Sequence, residues 1–282
     1  MKTILTKAAL RDALAPPRRE GRIIGLVPTM GCLHQGNLSL LCAARDECEV
    51  VVMSLFVNPA QFGPEEDFDR YPRDEQGDAR LAEQEGVDFV YAPSAEEVYP
   101  EGFTTYVQVQ GLSEVLCGDP ARRGPEHLRG VTTVVVKLFN TVRPHVAYFG
   151  QKDAQQAIVI QRMVRDLDFP VRIEVLPTVR EKDGLAMSSR NAYLDVADRQ
   201  RAAALPRALQ AVRESMRSGS LAEGLAEARR ELSRAGIEPE YLEARDPEDL
   251  SPVAEPNGRP VLVAVAARIG AARLIDNVLI EP

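Results

Sequence analysis

An apolar segment that ends in a glycine-containing turn constrains the fold of this chain more than any other feature. Residues 23–37 read IIGLVPTMGCLHQGN, and the apolar segment LSLLCAA follows directly. This order predicts a strand, a turn and then a helix, which together direct backbone N–H groups and a helix N-terminus towards an anion. His34 and Asn37 lie three residues apart and would share one helix face. A surface loop histidine is the competing interpretation.

Strand-like and helix-like segments alternate through the first two thirds of the chain. The predicted strands are IIGLV, EVVVMSLFV, DFVYAP, TTYVQV, HVAYFG and VRIEVLPTV, with helices from about Leu38, around 74–85, through VTTVVVKLFNTV and at AQQAIVIQRMVRDL. A short amphipathic helix is predicted at the N-terminus, in MKTILTKAALRDAL. Apolar runs without polar alternation are typical of parallel strands covered on both faces. The pattern predicts a doubly wound α/β fold, whose ligands bind at the carboxyl ends of the strands.

The character of the sequence changes after about Thr178. A polar loop, REKDGLAMSSRN, is followed by helical segments at roughly 195–217 and 221–235, and then by the strand-like segments PEYLEARD, PVLVAVAARIG and ARLIDNVLIEP. These features predict two domains, a parallel-sheet domain over residues 1–178 and a smaller α+β domain over 179–282. The loop between them is predicted to act as a hinge or lid.

Composition excludes several classes of protein. Of the 282 residues, 45% are hydrophobic and 27% are charged, which is typical of a globular chain. The formal net charge of −8 argues against a nucleic-acid-binding surface. The spacing of the four cysteines favours neither a zinc site nor a disulfide scaffold. No apolar stretch is long enough for a membrane span and no signal peptide is recognisable, so a cytoplasmic enzyme is expected.

Two further polar clusters follow predicted strands, and a third lies in the polar loop. Asn58 and Gln61 offer neutral amides in SLFVNPAQFG, although Asn-Pro is also ordinary turn chemistry. FGQKDAQQ places Lys152 and Asp153 at a helix start, where the lysine can bind phosphate and the aspartate can cap the helix or hold a ribose hydroxyl. AMSSRN supplies two hydroxyls and a guanidinium, which are donors suited to a triphosphate. Together the clusters predict a nucleotide site.

These segments closely resemble the signature segments of the pantothenate synthetase (pantoate–β-alanine ligase) family. The resemblance rests on PTMGCLHQGN, SLFVNPAQF, YPRD, FGQKDAQQ and REKDGLAMSSRN, and it extends to HLRGVTTVVVKLFN and ARLIDN. It implies a Rossmann-like fold of the HxGH nucleotidyltransferase type. It also implies condensation of pantoate with β-alanine in two steps, through pantoyl adenylate, with release of pyrophosphate and AMP. ATP as substrate, Mg²⁺ bridging its phosphates, and a homodimer are further implications.

The resemblance also implies roles for individual residues. His34, Asn37, Lys152 and Arg190 would be catalytic. Preorganised donors to the transition state and the departing pyrophosphate would be His34, Lys152, Ser188, Ser189 and Arg190. Asn58, Gln61 and Gln156 would bind pantoate or β-alanine. The implied ATP-binding residues are Met30, Gly31, Cys32, Leu33, His34, Gln35, Gly36, Asn37, Gly150, Gln151, Lys152, Asp153, Val179, Met187, Ser188, Ser189 and Arg190.

One residue departs from the family pattern. The pattern is HxGH, and its second histidine is regarded as the catalytic proton donor, whereas this chain has Asn37. An amide can donate a hydrogen bond to a phosphate oxygen but cannot carry a titrating proton near neutral pH. A slowed ligase is therefore predicted. The alternatives are an adenylyltransferase of the same superfamily, which would use a phosphorylated acceptor, and a nucleotide-binding homologue that has lost turnover.

Overall fold

The fold is described here from a computed structural model that covers residues 1–64, 66–217 and 220–282. Within these ranges, six parallel strands form one sheet in the order β1-β4-β3-β2-β5-β6. The strands are β1 (Lys2–Ile4), β2 (Ile24–Thr29), β3 (Val50–Leu55), β4 (Phe89–Tyr91), β5 (Val146–Gly150) and β6 (Arg172–Leu176). Buried residues on both faces, such as Leu26 and Val27, confirm the prediction from the apolar runs.

Helices cover both faces of this sheet, which confirms the doubly wound α/β fold. They are α1 (Lys7–Arg19), α2 (Gln35–Glu47), α3 (Glu75–Gln84), α4 (Ala95–Val98), α5 (Pro125–Val142) and α6 (Ala154–Asp166). One hydrophobic cluster joins the sheet to α1, α5 and α6, and a second joins its other face to α2 and α3. The layers thereby leave the carboxyl ends of the strands open to form a site.

The C-terminal region forms a smaller α+β unit, as predicted. Helices α7 (Val196–Ala202), α8 (Ala204–Arg217) and α9 (Leu221–Arg234) precede an antiparallel sheet of β7 (Pro239–Arg245), β8 (Val261–Ile269) and β9 (Ala272–Ile280). A hydrophobic cluster that includes Leu116, Leu128, Val159, Tyr241 and Leu262 joins this sheet to the parallel-sheet unit. The predicted domain boundary between residues 178 and 179 falls in the connection from β6 to α7.

One local prediction was wrong, and the extents of two predicted helices need correction. Residues 104–109 (TTYVQV) form no strand, because side chains of α5 bond the backbone instead: Val107 N donates to Thr133 Oγ1 and Thr132 Oγ1 donates to Val107 O. The helix predicted over 195–217 is broken at Ala203, since Pro206 has no N–H for the preceding turn. The N-terminal segment begins as strand β1, and α1 starts only after Thr6, whose hydroxyl caps it.

Candidate active site

The loops that carry HQGN and GQKD, called the first and second loops below, lie side by side because of the strand order. The chain starts in the edge strand β1, crosses to β2, runs outward through β3 and β4, and then returns to the other side of β2 as β5. Strands β2 and β5 pair through Leu26 and Ala147 and carry the HQGN and GQKD segments at their carboxyl ends. This is the topological switch point, where open parallel sheets bind ligands. A cleft of about 340 Å³ opens there.

The turn after β2 is tight, and a side chain of α3 anchors its backbone. Gly31 and Cys32 both have positive φ angles, of 88° and 50°. The carboxylate of Asp78, on α3, accepts hydrogen bonds from Cys32 N (2.8 Å) and Leu33 N (2.7 Å). The chain then enters α2 with His34 as its N-cap. The turn therefore brings residue 34 to the mouth of the cleft.

His34 is a neutral hydrogen-bond donor at the start of α2. Its Nδ1 accepts from Gly36 N at 3.1 Å, so the ring proton is on Nε2. Burial, reinforced by the nearby charge of Lys152, lowers the pKa of His34 below its usual value. The imidazole therefore stays uncharged at neutral pH and offers an N–H to a ligand in the cleft.

Asn37 completes a capping box with His34. Its Oδ1 accepts from the backbone N–H of His34 at 3.1 Å, which fixes the side chain over the first turn of α2. The amide oxygen is used for this contact, and the NH₂ group remains as the part that can donate to a phosphate. Asn37 therefore stabilises the helix start and also lines the cleft.

The second loop presents Lys152 and Asp153 from a short 3₁₀ turn between β5 and α6. Asp153 occupies the N-cap position of α6 without forming a side-chain cap, so the capping interpretation is not supported by a hydrogen bond. The loop is held by Asn277 of β9, whose Nδ2 donates to Gln151 O (2.8 Å) and Lys152 O (2.9 Å). The small C-terminal sheet thus supports the lysine.

The third loop runs from β6 to α7 and folds over the first. Its base is closed by a bridge between Arg180 and Ala186, and Arg180 pairs with the fully buried Asp276 carboxylate of β9. A Cβ built on Gly36 would lie 3.8 Å from Met187 Cβ, so the two loops are in contact. Ser188 caps the short 3₁₀ turn that carries Arg190. Asn277 and Asp276 therefore connect β9 to two loops of the cleft.

The segment after β3 contacts the Ser189 hydroxyl and the Arg190 guanidinium of the third loop. Asp67 accepts two hydrogen bonds from Arg190, one from Nε at 2.8 Å and one from Nη2 at 2.9 Å. The guanidinium also lies over the Tyr71 ring. The Tyr71 hydroxyl lies 3.1 Å from Ser189 Oγ. Burial alone raises the pKa of Asp67, but the bonds and charge of Arg190 outweigh it and leave that pKa below its usual value. Arg190 is therefore held in one orientation.

The predicted amides lie deep in the cleft with different roles. Asn58 is buried, and it donates from Nδ2 to Gln61 Oε1 (3.1 Å) and to Gly130 O while Oδ1 accepts from Tyr99. Gln61 Nε2 lies 3.1 Å from Met30 Sδ. Asn58 therefore orients Gln61, and the Gln61 side chain lines the cleft.

As with Asn58 and Gln61, one of the neighbouring residues Gln155 and Gln156 is already bonded to the protein and supports the site, and the other is available to a ligand. Gln155 is buried, accepts from Cys117 N and donates to Leu112 O and Val115 O, so it stabilises the adjoining loop. Gln156 is half-buried and lines the cleft. Its position on α6 is consistent with the predicted substrate role.

Most of the residues predicted from the sequence come together in this cleft. Those that line it are Met30, Gly31, His34, Gly36, Asn37, Asn58, Gln61, Gly150, Lys152, Asp153, Gln156, Val179, Met187, Ser188, Ser189 and Arg190. Cys32, Leu33, Gln35 and Gln151 do not line it, because Cys32 and Leu33 direct their N–H groups to Asp78 and the Gln151 side chain bonds to Asn277.

Sequence reasoning missed a half-buried chain of polar side chains next to Gln61. His127 Nδ1 lies 2.7 Å from Gln61 O, its Nε2 lies 2.9 Å from Arg123 Nη1, and Arg123 pairs with Glu66. Burial, and then the charge of Arg123, lowers the pKa of His127 well below its usual value. The neutral His127 ring therefore donates from Nδ1 to the backbone carbonyl of Gln61 and accepts from Arg123 at Nε2. His127 lies in the segment HLRGV, which contributed to the resemblance without any residue being assigned a role.

No group of three or more His, Cys, Asp or Glu side chains arranged to hold a metal occurs in the part of the chain that the structure describes. Asp153 is the cleft carboxylate beside Lys152 and is about half exposed. A site that relies on one carboxylate suits Mg²⁺, which keeps most of its waters and is bound largely through substrate phosphates. Among the described residues, no helix is long and apolar enough to span a membrane.

The fold and cleft define an α/β protein in which the HQGN and GQKD loops meet at the switch point of a parallel sheet. The model of the pantoate–β-alanine ligase family matches residues 2–279, and the chain belongs to that family. The pantothenate synthetase of Moorella thermoacetica is 53% identical over 291 residues, covering 100% of this chain and 99% of that protein.

Two solved structures support the same assignment. The pantothenate synthetase of Thermus thermophilus has a TM-score of 0.93 and 48% identity, covering 100% of both chains. The pantoate–β-alanine ligase of Francisella tularensis, described as a complex with β-γ ATP and β-alanine, has a TM-score of 0.81 and 31% identity, covering 99% of this chain and 97% of that one. The similarity therefore extends over the whole chain.

Proposed function

We propose that this chain condenses pantoate with β-alanine in two steps that share the cleft. A pantoate carboxylate oxygen attacks the α-phosphorus of ATP, pyrophosphate leaves, and pantoyl adenylate forms. The β-alanine amine then attacks the acyl carbon, the amide bond forms, and AMP leaves with the carboxylate oxygen. Neither step needs a covalent bond to the protein.

The convergence of the three loops carries this proposal. His34, Lys152 and Arg190 come from three separate segments and all line one cleft at the switch point of the sheet. Lys152 is close enough to His34 for its charge to affect the pKa of that histidine. Donors fixed in place before the reaction stabilise negative charge without reorganising. The cleft therefore supports phosphoryl chemistry on a nucleotide.

The donors would divide the ATP phosphates among them. His34 would donate from Nε2 as a neutral imidazole, and Lys152 would act as a point charge on a phosphate. Arg190 and the hydroxyls of Ser188 and Ser189 would bind the departing pyrophosphate. The first turn of α2 adds backbone N–H groups and its partial positive charge. These groups would stabilise the transition state mainly by position and charge.

The acid would be bound at the other end of the cleft by neutral amides. Gln61 is oriented by Asn58 and by the contact of its carbonyl with His127. Gln156 extends from α6 at the same cleft. Amides can hold the hydroxyls and carboxylate of pantoate without adding a charge that would weaken its attack.

Asn37 would make this a slower ligase. It can donate a hydrogen bond to a phosphate oxygen, but it cannot deliver a proton near neutral pH. General acid catalysis by one group is worth roughly 10² to 10⁴ in rate. Positioning and charge neutralisation by the other donors would supply the remaining acceleration.

Mg²⁺ would be held mainly by the ATP phosphates, with Asp153 as the protein carboxylate able to contribute a ligand or bind a metal-bound water. When bound, it would neutralise part of the phosphate charge. The residues present fit this use, because Asp153 is about half exposed in the cleft beside Lys152, whereas the other described carboxylates that line it are paired with arginines. Homodimer formation and a cytoplasmic location remain predictions from the sequence.

The test is an omission series. The protein is incubated with ATP, Mg²⁺, pantoate and β-alanine, each is left out in turn, and AMP and pantothenate are measured by mass spectrometry. We expect pantothenate and AMP in equal amounts, and neither without pantoate. Pyrophosphate release that needs a phosphorylated acceptor and ignores β-alanine would support an adenylyltransferase. Tight ATP binding without AMP would support an impaired homologue.

A further inference from the structure

A buried carboxylate lies beneath the turn that carries His34. Asp78 is only 2% exposed and belongs to α3, outside the sequence motifs of the cleft. Its Oδ2 accepts from Cys32 N at 2.8 Å, and its Oδ1 accepts from Leu33 N at 2.7 Å. One side chain thus holds two consecutive peptide groups immediately before His34.

The turn needs such an anchor because its backbone is strained. Cys32 has φ 50°, which a residue with a Cβ adopts only at a cost, and Gly31 before it has φ 88°. A Cβ on Gly31 would lie 2.8 Å from Asp78 Oδ2 and 2.8 Å from Leu55 Cδ1. The carboxylate therefore packs directly against the turn. Two hydrogen bonds to a charged acceptor oppose relaxation of the turn.

The charge of Asp78 is kept at a cost to folding. Burial raises its pKa above the usual value; the bonds from Leu33 and Cys32 lower it, while Asp74 and Glu75 raise it further. No basic side chain forms an ion pair with Asp78 among the residues that the structure describes. Because the folded state holds the proton more tightly than the unfolded state, ionisation at neutral pH lowers the stability of the fold.

We propose that Asp78 is a positioning residue for the nucleotide end of the cleft. The inference rests on the proposed function and deepens it. Asp78 fixes the backbone of Cys32 and Leu33, and this sets the place and direction from which His34 reaches the nucleotide. Because the N–H groups of Cys32 and Leu33 donate to Asp78, they are not available to the phosphates. His34 and the first turn of α2 would bind the phosphates instead. A buried charge that burdens the fold is retained because it orders this turn.

The first test follows the histidines directly by NMR. The chain has three, His34, His127 and His145, so their ring resonances can be assigned with single glutamine variants. In Asp78→Asn we expect the His34 resonance and its pH titration to shift, while the resonances of His127 and His145 stay unchanged. Burial, and then the charges of Lys152, Asp153 and Glu181, perturb the pKa of His34, so a shift of its titration reports a change in the position of the ring. An unchanged His34 resonance would overturn the proposal.

The second test separates the two half-reactions. Asp78→Asn keeps the shape but replaces one acceptor by an NH₂ group that faces a backbone donor. We expect pantoate-dependent exchange of pyrophosphate into ATP to fall about 10- to 100-fold, since small displacements in a site have effects of that size. The KM for β-alanine is expected to stay within about twofold. Exchange within twofold of the starting protein would contradict the proposal.

Asp88→Asn is the matched control. The Asp88 carboxylate also accepts a backbone N–H, from Val51 at 2.8 Å, but it lies at the amino-terminal ends of β3 and β4, away from the cleft, and pairs with Arg45. We expect exchange activity and the His34 resonance to remain as in the starting protein. Loss of activity in both variants would indicate general destabilisation and would count against a specific role for Asp78.

Gly31→Ala tests the same contact from the other side, should Asp78→Asn fold poorly. Its Cβ would push against the Asp78 carboxylate, and we expect the same shift of the His34 resonance. The double variant is expected to lose less activity than the product of the two single losses, because both act on one contact. If the starting protein shows no pantoate-dependent exchange of pyrophosphate into ATP, the proposed function is refuted. If the starting protein shows this exchange and the Asp78 variant is equally active, only this inference is refuted.

Discussion

Asp67 and Arg190 form a two-pronged ion pair that fixes the guanidinium of the third loop. The two hydrogen bonds, of 2.8 and 2.9 Å, match the planar fork of arginine to the two carboxylate oxygens. Asp67 comes from the segment after β3 and Arg190 from the loop after β6, so the pair joins two parts of the chain that are distant in sequence. The side chain expected to bind pyrophosphate is therefore oriented by a carboxylate that no motif had indicated.

Removing this orientation should slow the first half-reaction. Asp67→Asn loses the charge and one acceptor, and we expect the rate of pantoate-dependent pyrophosphate exchange to fall about tenfold. Arg190→Lys keeps the charge but loses the planar fork, and a fall of about 10² is expected because it also weakens contact with the leaving group. Exchange kinetics at saturating ATP measure both. If Asp67→Asn retained at least half of the rate, Asp67 would not be orienting Arg190 for catalysis.

Asn37→His should accelerate the reaction. An imidazole at this position adds a group that can transfer a proton, and we expect pyrophosphate release to rise by at least about tenfold. The rate should also acquire a new pH dependence on the acidic side of neutrality. The variant loses the capping bond from His34 N, which should cost about 1 kcal/mol of stability. An unchanged rate would show that the missing imidazole is irrelevant in this protein.

Asn277→Ala should destabilise the second loop, which carries Lys152. It leaves the carbonyls of Gln151 and Lys152 without the Asn277 donor, at about 1–3 kcal/mol for each buried group that stays unsatisfied. We expect a melting temperature several degrees lower and a higher KM for ATP. Asn140→Ala, at an exposed position of α5, is the control and should leave both unchanged. A melting temperature equal to that of the starting protein would contradict the proposed support.

Stability should fall as the pH is lowered through about 6.5. Burial lowers the pKa values of His34 and His127, so in this range the unfolded chain binds more protons than the folded one. The free energy of unfolding therefore decreases from the usual histidine pKa of 6.5 downward. His127→Gln should flatten this dependence, as measured by urea unfolding between pH 5 and 8. An unaltered slope would mean that His127 does not contribute.

The sequence predicted the elements whose signal is local. The apolar run 50–55 identified a buried strand, and the turns before His34 and Lys152 predicted phosphate-type loops, which the strand order brings together. The residues that hold these loops were not recognised. Asp78 and Asp67 lie outside the recognised segments, and Asn277 lies in ARLIDN without an assigned role. Their partners lie 45 to 126 positions away in the chain. Only the folded arrangement reveals such contacts.

Predictions failed where side chains replaced backbone pairing. The segment 104–109 has the alternation of a strand, but the threonines of α5 take the bonds that a neighbouring strand would have supplied. The resemblance implied that Cys32 and Leu33 bind ATP, and that role stays a prediction. In the structure their backbone N–H groups donate to the buried Asp78.

The central claim is that the cleft activates pantoate by transfer of AMP to its carboxylate. The most direct measurement uses pantoate labelled with ¹⁸O in the carboxylate, together with ATP, Mg²⁺ and β-alanine, and mass spectrometry of the nucleotide and phosphate products. We predict that AMP carries one ¹⁸O for each pantothenate formed, because the carboxylate oxygen that attacks the α-phosphorus leaves with AMP. Unlabelled AMP, or label in inorganic phosphate instead, would contradict the account.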